Sequence, residues 1–527
     1  MSLKKPLLLS IASGCLLSMP WMWPSGSWII LLAFIPLLAV EDMLTRSSTA
    51  QPGYLLFFCS LVTFLTWNIL STWWIAYVSL SGMLIIALIN AFLMACIWWL
   101  MHAIHRRLGA DTAYFTLVVF WLSFETMHFY WTIQWPWLTL GNAFASMPWL
   151  IQWYELTGVL GGSLWILVVN ILLYSAIKSR SSIRPAVNLH PAVWLLVILA
   201  LPAGWSVYRY QTYTEKGPVV EVAVLQPNVN PYADKFSGMS TEVQTQRLAS
   251  LARSVISPST SYVVTPETAL APMWENDSLR QNKALMPLDS VLVTYPHTAM
   301  VAGAITQRYL KQDEAPDYTA RADDEDGFYQ VYNTALFFNH TPEVQLGHKS
   351  ILVSGVEKMP FQEYFSFLGN YVVEAGGISG SLASATGPTV FKGTKGEGIG
   401  SVICFESAFA PYVALTVKNG ASVLFIITND GWWKESQGIT QHFGYARIRA
   451  IETRRSIARS ANTGISGFIG QRGEIIQKTS VNTAAAISAP LHLNNQLTFF
   501  VRHGNLLGRS SALMSLILLL YFLIKRI

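Results

Sequence analysis

The chain has 527 residues, 52% of them hydrophobic and 12% charged, with a formal net charge of +5 at pH 7. Soluble domains carry roughly 25% charged residues, so this composition excludes a purely soluble globular protein. The Lys and Arg residues scatter or sit beside apolar runs and leave no footprint for nucleic acid.

Apolar runs near the length of a bilayer span fill the first part of the chain and its last residues. Eight spans are predicted, at Leu7–Met22, Trp28–Val40, Tyr54–Val78, Met83–His102, Tyr114–Tyr130, Leu156–Ile177, Pro191–Tyr208 and Ser511–Ile524. Basic residues occupy alternate gaps: Lys4 and Lys5, then Arg46, then Arg106 and Arg107, then Lys178, Arg180 and Arg184, and finally Lys525 and Arg526. By the positive-inside bias both termini are cytoplasmic and the long segment between the last two spans faces outward. The first span resembles a signal peptide but lacks a small-residue cleavage site before Trp21, Trp23 and Trp28, so it is expected to be retained.

The aromatic residues Trp73, Trp74, Tyr77, Trp98 and Trp99 at span ends read as an interfacial belt. The uncharged loop Trp131–Trp153, with Trp135, Pro136, Trp137, Gly141 and Asn142, is expected to lie against the bilayer surface. Glu125 and His128, near the outer end of the fifth span, are expected to snorkel. No internal repeat is visible, and the paired broken segments of a transporter are missing.

The division predicted is residues 1–210 for seven spans, 211–496 for a soluble domain and 497–527 for the last span. Within the soluble domain, short β-rich runs recur at Val219–Leu225, Tyr262–Thr265, Met300–Ile305, Val331–Phe338, Ile399–Cys404, Val423–Thr428, Ser456–Arg459 and Ile465–Ile469. Helical patterns at Thr241–Ile256, Ala408–Lys418 and His442–Thr453 lie between several of them, so an α/β layered domain is predicted. Sites in such folds gather at strand ends.

Of the four cysteines, Cys15, Cys59 and Cys96 fall in apolar segments and only Cys404 lies in the soluble region. No CxxC or Cys/His spacing exists, which argues against a zinc or haem site and against a disulfide framework; no metal and no cofactor are expected. Cys404 reads either as a small buried hydrophobe or as a nucleophile. Its outward location tips the balance, because a lone thiol outside the cytoplasm risks oxidation unless its chemistry is needed. A thiol nucleophile needs a base. Glu267, after Pro266 at a strand end, is the best candidate base; it otherwise reads as a carboxylate capping the next helix. Lys349 is either a solvated loop lysine or the cation facing a developing oxyanion. Together Glu, Lys and Cys make a complete set.

At Thr265-Pro-Glu-Thr-Ala269, at Lys349 with Glu357 eight positions later, and at Val402-Ile-Cys-Phe-Glu406, the sequence resembles the nitrilase superfamily, which uses a Glu-Lys-Cys triad in an αββα sandwich. The order agrees: Lys349 follows Glu267 by 82 positions and Cys404 follows Lys349 by 55. With spans on both sides, the whole chain resembles the apolipoprotein N-acyltransferase family of bacterial inner membranes. Trp135-Pro-Trp137 with Gly141 fits that family, as do Asn429-Asp-Gly-Trp-Trp433 leading to His442, Arg447, Glu452 and Arg454, and Phe500-Val-Arg-His-Gly504. Two departures stand out: Ser350-Ile-Leu-Val-Ser-Gly-Val-Glu357 replaces the usual Leu-Val-Pro-Phe-Gly-Glu loop, and Phe405 replaces a common Tyr.

The resemblance implies a catalytic triad of Glu267, Lys349 and Cys404 that moves an acyl chain from a phospholipid to the N-terminal amine of a diacylglyceryl-modified apolipoprotein, through a Cys404 thioester. It implies a monomer in the inner membrane with a periplasmic catalytic domain. Glu357 and Glu406 would orient Lys349 and the nucleophile, or form purely structural ion pairs. Phe405, Asn429 and Trp432 join them as candidate binding residues. Phe361, Tyr364, Phe365, Phe367 and Leu368 crowd one loop, read as a lid dipping towards lipid with Trp432 and Trp433, or as an ordinary loop packed on the sheet. The rival readings are a membrane-tethered amidase with the same triad, and a transporter or receptor with an inactive nitrilase-like sensor.

Overall fold

A computed structural model describes residues 3–47, 51–178, 191–232, 238–323, 327–359, 361 and 381–525. It divides into two compact units, one of Met1–Trp131, Trp135–Tyr213 and Asn505–Ile527, the other of Thr132–Gln134 and Thr214–Gly504.

The first unit is helical: α1 (Lys4–Met22), α2 (Ile35–Thr45), α3 (Pro52–Thr72), α4 (Leu80–Leu108), α5 (Ala110–Met127), the short α6 (Tyr154–Thr157), α7 (Val159–Lys178), α8 (Pro191–Thr212) and a C-terminal helix, Leu506–Ile524. Among the described residues, six segments are long and apolar enough to cross a membrane: Pro24–Thr45, Pro52–Tyr77, Leu80–Leu108, Val159–Lys178, Val193–Thr212 and Leu506–Ile524. Eight spans were expected. The other two, α1 and α5, are helices whose apolar character is diluted by Lys4, Lys5 and three serines in one and by Asp111 and Glu125 in the other.

In an apolar surrounding every backbone polar group needs an internal partner. The break before α2 meets this demand through side chains. Asn170 on α7 accepts from Phe34 N at 2.9 Å and donates to Ile30 O at 3.0 Å, and Ser13 Oγ donates to Ala33 O.

Three readings of this region are corrected. Glu125 and His128 do not snorkel: both are buried, and Glu125 Oε1 accepts from Trp121 Nε1 at 3.0 Å and from Leu140 N at 2.8 Å. The loop after residue 131 does not lie spread on a surface. Its uncharged Trp137, Leu140 and Phe144 are buried, folded into short turns, and Trp137 packs on Trp74. The aromatic belt is also split. Trp73, Tyr77 and Trp99 are exposed as a belt requires, whereas Trp74 and Trp98 are buried, Trp98 against Phe34 and Phe64.

The second unit contains the strands β1 (Val219–Gln226), β2 (Thr260–Val264), β3 (Leu270–Trp274), β4 (Ala299–Tyr309), β5 (Arg321–Ala322), β6 (Phe328–Phe338) and β7 (Val344–His348). These are followed by β8 (Val390–Lys392), β9 (Gly398–Ile403), β10 (Val423–Thr428), β11 (Ile457–Ala461), β12 (Gly467–Ile469), β13 (Ile475–Lys478) and β14 (Ala485–His492). One sheet runs β14-β1-β2-β4-β6-β5, with β3 on β4 and β7 on β6; the other runs β13-β12-β11-β10-β9-β8. The central strands β1, β2 and β4 are parallel, as are β9, β10 and β11.

The period-two pattern explains the layering. Val222, Val224, Tyr262, Val264 and Val301 of the first sheet pack in one core with Val423, Phe425 and Ile427 of the second. The alternate residues Ala223, Leu225, Val263 and Met300 pack on the helices α9 (Thr241–Val255) and α10 (Met286–Thr294). Helix α9 starts where Ser240 Oγ accepts from Val243 N, and it buries Leu248, Ala249 and Ala252. Helices α11 (Ala410–Lys418), α12 (Gln437–Thr453) and α13 (Phe499–His503) follow in the second half of the unit. The α/β sandwich expected from the sequence is present. β3, β5, β7, β8, β13, β14, α10 and α13 were not read from it.

Candidate active site

The loops after β2, β7, β9 and β10 carry the candidate residues. Glu267 lies in the turn after β2, where Thr268 takes a φ of +49°. This turn is seated against Gly303 of β4: a Cβ there would fall 2.4 Å from Pro266 O and 2.6 Å from Glu267 Cα. Lys349 follows β7, and its N–H donates to Asn333 O of β6 at 2.8 Å. Cys404 follows β9 directly and opens a short 3-10 turn, Cys404–Ala408, with a φ of +51°. For a residue with a Cβ that conformation costs roughly 1–2 kcal/mol, and strain of this kind persists only where the surroundings over-determine it.

The side chains converge. Lys349 Nζ donates to Glu267 Oε1 at 2.9 Å and to Glu357 Oε1 at 2.8 Å. Asn333 Nδ2 ties the same two carboxylates together, at 2.7 Å to Glu267 and 3.0 Å to Glu357. Glu267 Oε2 accepts from Asn429 N at 3.0 Å, and Glu357 Oε2 from Val353 N at 2.8 Å. Lys349 is 1% exposed, so its charge is compensated by carboxylates and not by water. Burial alone would lower the Lys349 ammonium, but Glu267, Glu357 and Cys404 outweigh it and hold its pKa well above the ordinary lysine value. The Cys404 thiol is pushed up by burial and by Glu267, against the opposing pull of Lys349. In the resting site the thiol is therefore protonated and the lysine is charged.

Glu406 binds backbone. Its Oε1 accepts from Ser350 N at 2.6 Å and Ile351 N at 3.2 Å, and its Oε2 from Ile403 N at 2.8 Å. One side chain thus joins the loop after Lys349 to the turn at Cys404. Burial raises its pKa from 4.5 to about 7, opposed by those N–H donors.

Phe405 is buried edge-on against Phe409. Asn429 reaches the site through its N–H, while its Oδ1 accepts from Asn462 Nδ2. Trp432 packs on Tyr232, whose hydroxyl donates to its carbonyl. Phe361 is exposed, with a φ of +57°. Tyr364, Phe365, Phe367 and Leu368 lie outside the described residues. No group of His, Cys, Asp and Glu that could hold a metal ion occurs among the described residues.

Sequence reasoning missed Asn333, whose signal was an amide inside the apolar strand Val331-Tyr-Asn-Thr-Ala-Leu-Phe-Phe338. It also passed over Arg459, hidden in a strand and recognisable only as a charge with no solvent face.

Residues 13–172 match the family described as apolipoprotein N-acyltransferase N-terminal domain, and residues 221–495 match the carbon-nitrogen hydrolase family. A curated apolipoprotein N-acyltransferase of Chlorobaculum tepidum is 28% identical, covering 96% of this chain and 94% of that one. One of Geobacter metallireducens is 26% identical over 95% and 92%. Among solved structures, Nit3 of Saccharomyces cerevisiae, a member of the nitrilase superfamily, is similar at 18% identity and a TM-score of 0.35, over 54% of this chain and 93% of that one. The chain belongs to the carbon-nitrogen hydrolase family, and it carries the apolipoprotein N-acyltransferase N-terminal domain ahead of its hydrolase domain.

Proposed function

We propose that this membrane enzyme transfers a fatty acyl chain from a phospholipid to the free N-terminal amine of a diacylglyceryl-cysteine on apolipoproteins, through a thioester on Cys404. The observation that carries the reading is the convergence of Glu267, Glu357 and Lys349 Nζ beside the Cys404 thiol, in a chain whose described residues include six apolar helices of spanning length.

In the first half-reaction Glu267 accepts the thiol proton and the Cys404 sulfur attacks the ester carbonyl of the phospholipid. The charge on the carbonyl oxygen is met by the Lys349 ammonium. The ester C–O bond then breaks, Glu267 returns its proton to the departing alkoxide, and lysophospholipid leaves. In the second half-reaction the lipoprotein amine attacks the thioester, Glu267 accepts the ammonium proton, the C–S bond breaks and the proton goes back to sulfur. An amide and a free thiol result. Glu357 and Asn333 keep Lys349 and Glu267 aligned through both steps, and Glu406 holds the loop after Lys349 to the turn of the nucleophile.

In this reading both termini are cytoplasmic, the catalytic domain is periplasmic at the inner membrane, and the monomer acts with a lid that includes Phe361 and Phe365. The test is incubation of purified enzyme with phospholipid and a synthetic diacylated lipopeptide. The expected product is a lipopeptide heavier by one acyl chain, its amine blocked. Release of ammonia from simple amides, with no lipopeptide product, would overturn the reading in favour of a tethered amidase.

A further inference from the structure

Behind the nucleophile lies a second polar network that the thioester chemistry leaves unused. The carbonyl of Cys404 accepts two hydrogen bonds, from Ser407 Oγ at 2.7 Å and from His442 Nε2 at 3.1 Å. His442, on α12, has its Nδ1 2.9 Å from Asp430 Oδ1 and 3.0 Å from Arg459 Nη2. Arg459, on β11, in turn donates to Asp430 Oδ2 at 2.8 Å, and Thr428 Oγ1 donates to Asp430 Oδ1 at 2.8 Å. Ser407, Asp430, His442 and Arg459 are all completely buried. Burial alone would raise the Asp430 carboxyl, but the opposing influences, the Arg459 guanidinium first among them, keep it an anion.

The donor inventory fixes the arrangement. Ser407 Oγ lies 2.9 Å from His442 Nε2 as well as 2.7 Å from the Cys404 carbonyl, and it has a single hydrogen to give. Donation to the carbonyl leaves Nε2–H free to donate there too, so both lone pairs of the carbonyl are filled. Donation to the imidazole would leave that buried carbonyl facing a histidine nitrogen without a proton. In the first arrangement Nε2 carries the ring proton, so Nδ1 accepts from Arg459 Nη2, whose guanidinium Asp430 Oδ2 holds in place, and that acceptor role keeps Nε2 the donor.

We propose that His442, oriented by Asp430 and Arg459, is a positioning residue that with Ser407 clamps the Cys404 carbonyl and so holds the nucleophile in its left-handed backbone, φ +51°. The inference rests on the reading of Cys404 as the nucleophile. The clamp acts on the residue's main chain: it sets the direction of the Cα–Cβ bond and thereby keeps Sγ aimed at the side where Lys349 and Glu267 wait. Ser407, His442 and Asp430 have the residue types and spacing of a serine-hydrolase triad. Their complete burial, and the Ser407 hydrogen committed to a carbonyl, assign them to support instead.

The experiment uses the full-length enzyme and two readouts, the single-turnover rate of Cys404 acylation by phospholipid and the rate of Cys404 alkylation by iodoacetamide, both followed by intact mass. Ser407→Ala, a small truncation that leaves the Asp430–Arg459 pair intact, should slow acylation about 3- to 10-fold with the KM for phospholipid unchanged. His442→Leu should slow it about 10- to 100-fold, and His442→Gln, which restores an N–H donor, should recover most of that loss. Thermal melts separate misfolding from misalignment. If His442→Leu does not fold, Ser407→Ala and His442→Gln still decide the matter, since normal acylation in Ser407→Ala overturns the clamp. A glutamine variant that folds but is as slow as the leucine variant also overturns it. Labelling of Ser407 by a fluorophosphonate would overturn it in favour of a serine nucleophile. Alkylation needs no acyl donor, so a wild type that alkylates at Cys404 but never acylates refutes the thioester reading, and the variants' alkylation rates then decide the clamp.

Discussion

Both units bury carboxylates, and they use them differently. In the helical unit Glu125 accepts from Trp121 and from the backbone of Leu140, neutral donors that fold a loop. In the sandwich unit Glu267 and Glu357 converge on a buried ammonium beside a thiol. A buried carboxylate is costly in either setting. With neutral donors alone it is a structural tie; with a cation and a nucleophile in the same cluster it becomes a candidate for proton transfer. The difference teaches that burial by itself does not mark a site, and that the convergence of unlike charges around a reactive atom does.

Substitutions can break or sharpen that contrast. The largest effects are expected at the proposed triad. Lys349→Met and Glu267→Gln should each lower acylation by about 1,000-fold or more, because such groups act as a unit, and Cys404→Ala should abolish it. Lys349→Met should also cost about 3–5 kcal/mol of stability, since it strands two carboxylates, which denaturant unfolding would measure. Glu357→Gln leaves Lys349 its bond to Glu267 and removes one charge, so a fall of about 10- to 100-fold in kcat is expected. An unchanged kcat would make Glu357 a structural partner like Glu125.

Gly303→Ala forces a methyl against Pro266 O and Glu267 Cα, and should lower kcat about tenfold by displacing the proposed base, with the fold retained. Glu125→Gln should lower the melting temperature by several degrees and leave the acylation rate of the folded protein unchanged. A loss of rate without loss of stability would bring Glu125 into the chemistry.

The smallest effect expected is a pH dependence. The Glu406 pKa is raised from 4.5 to about 7 by burial, so between those values the folded state holds a proton that the unfolded state has released. Its contribution to stability is present below pH 4.5, falls as pH rises from 4.5 to about 7, and is constant above. The melting temperature of Glu406→Gln relative to wild type should therefore become more favourable between pH 5 and pH 7.5; a flat difference would contradict it.

Much of the sandwich was legible because its central strands are buried on both faces and read as unbroken apolar runs, such as Val423-Leu-Phe-Ile-Ile-Thr428. Edge strands such as β13, with the half-exposed Ile475-Ile-Gln-Lys478, have no such pattern. Glu267 and Cys404 could be singled out because each follows one of those runs directly. Asn333 could not, since its function is to bridge two carboxylates brought together from positions 66 residues before it and 24 after it. The same limit explains the helical unit. Hydropathy locates spans, but whether Trp98 faces lipid or a neighbouring Phe34 depends on which helices pack together, and Glu125 was misread because its donor Leu140 comes from a loop 15 residues away.

The central claim is that Cys404 carries the acyl chain. Purified enzyme incubated with phospholipid and no acceptor, followed by intact-mass analysis beside Cys404→Ala, tests it directly. The account predicts an added fatty-acyl mass on the wild type alone, removed when a diacylated lipopeptide is supplied. No adduct under conditions where lipopeptide is acylated, or an adduct that survives in Cys404→Ala, would contradict it.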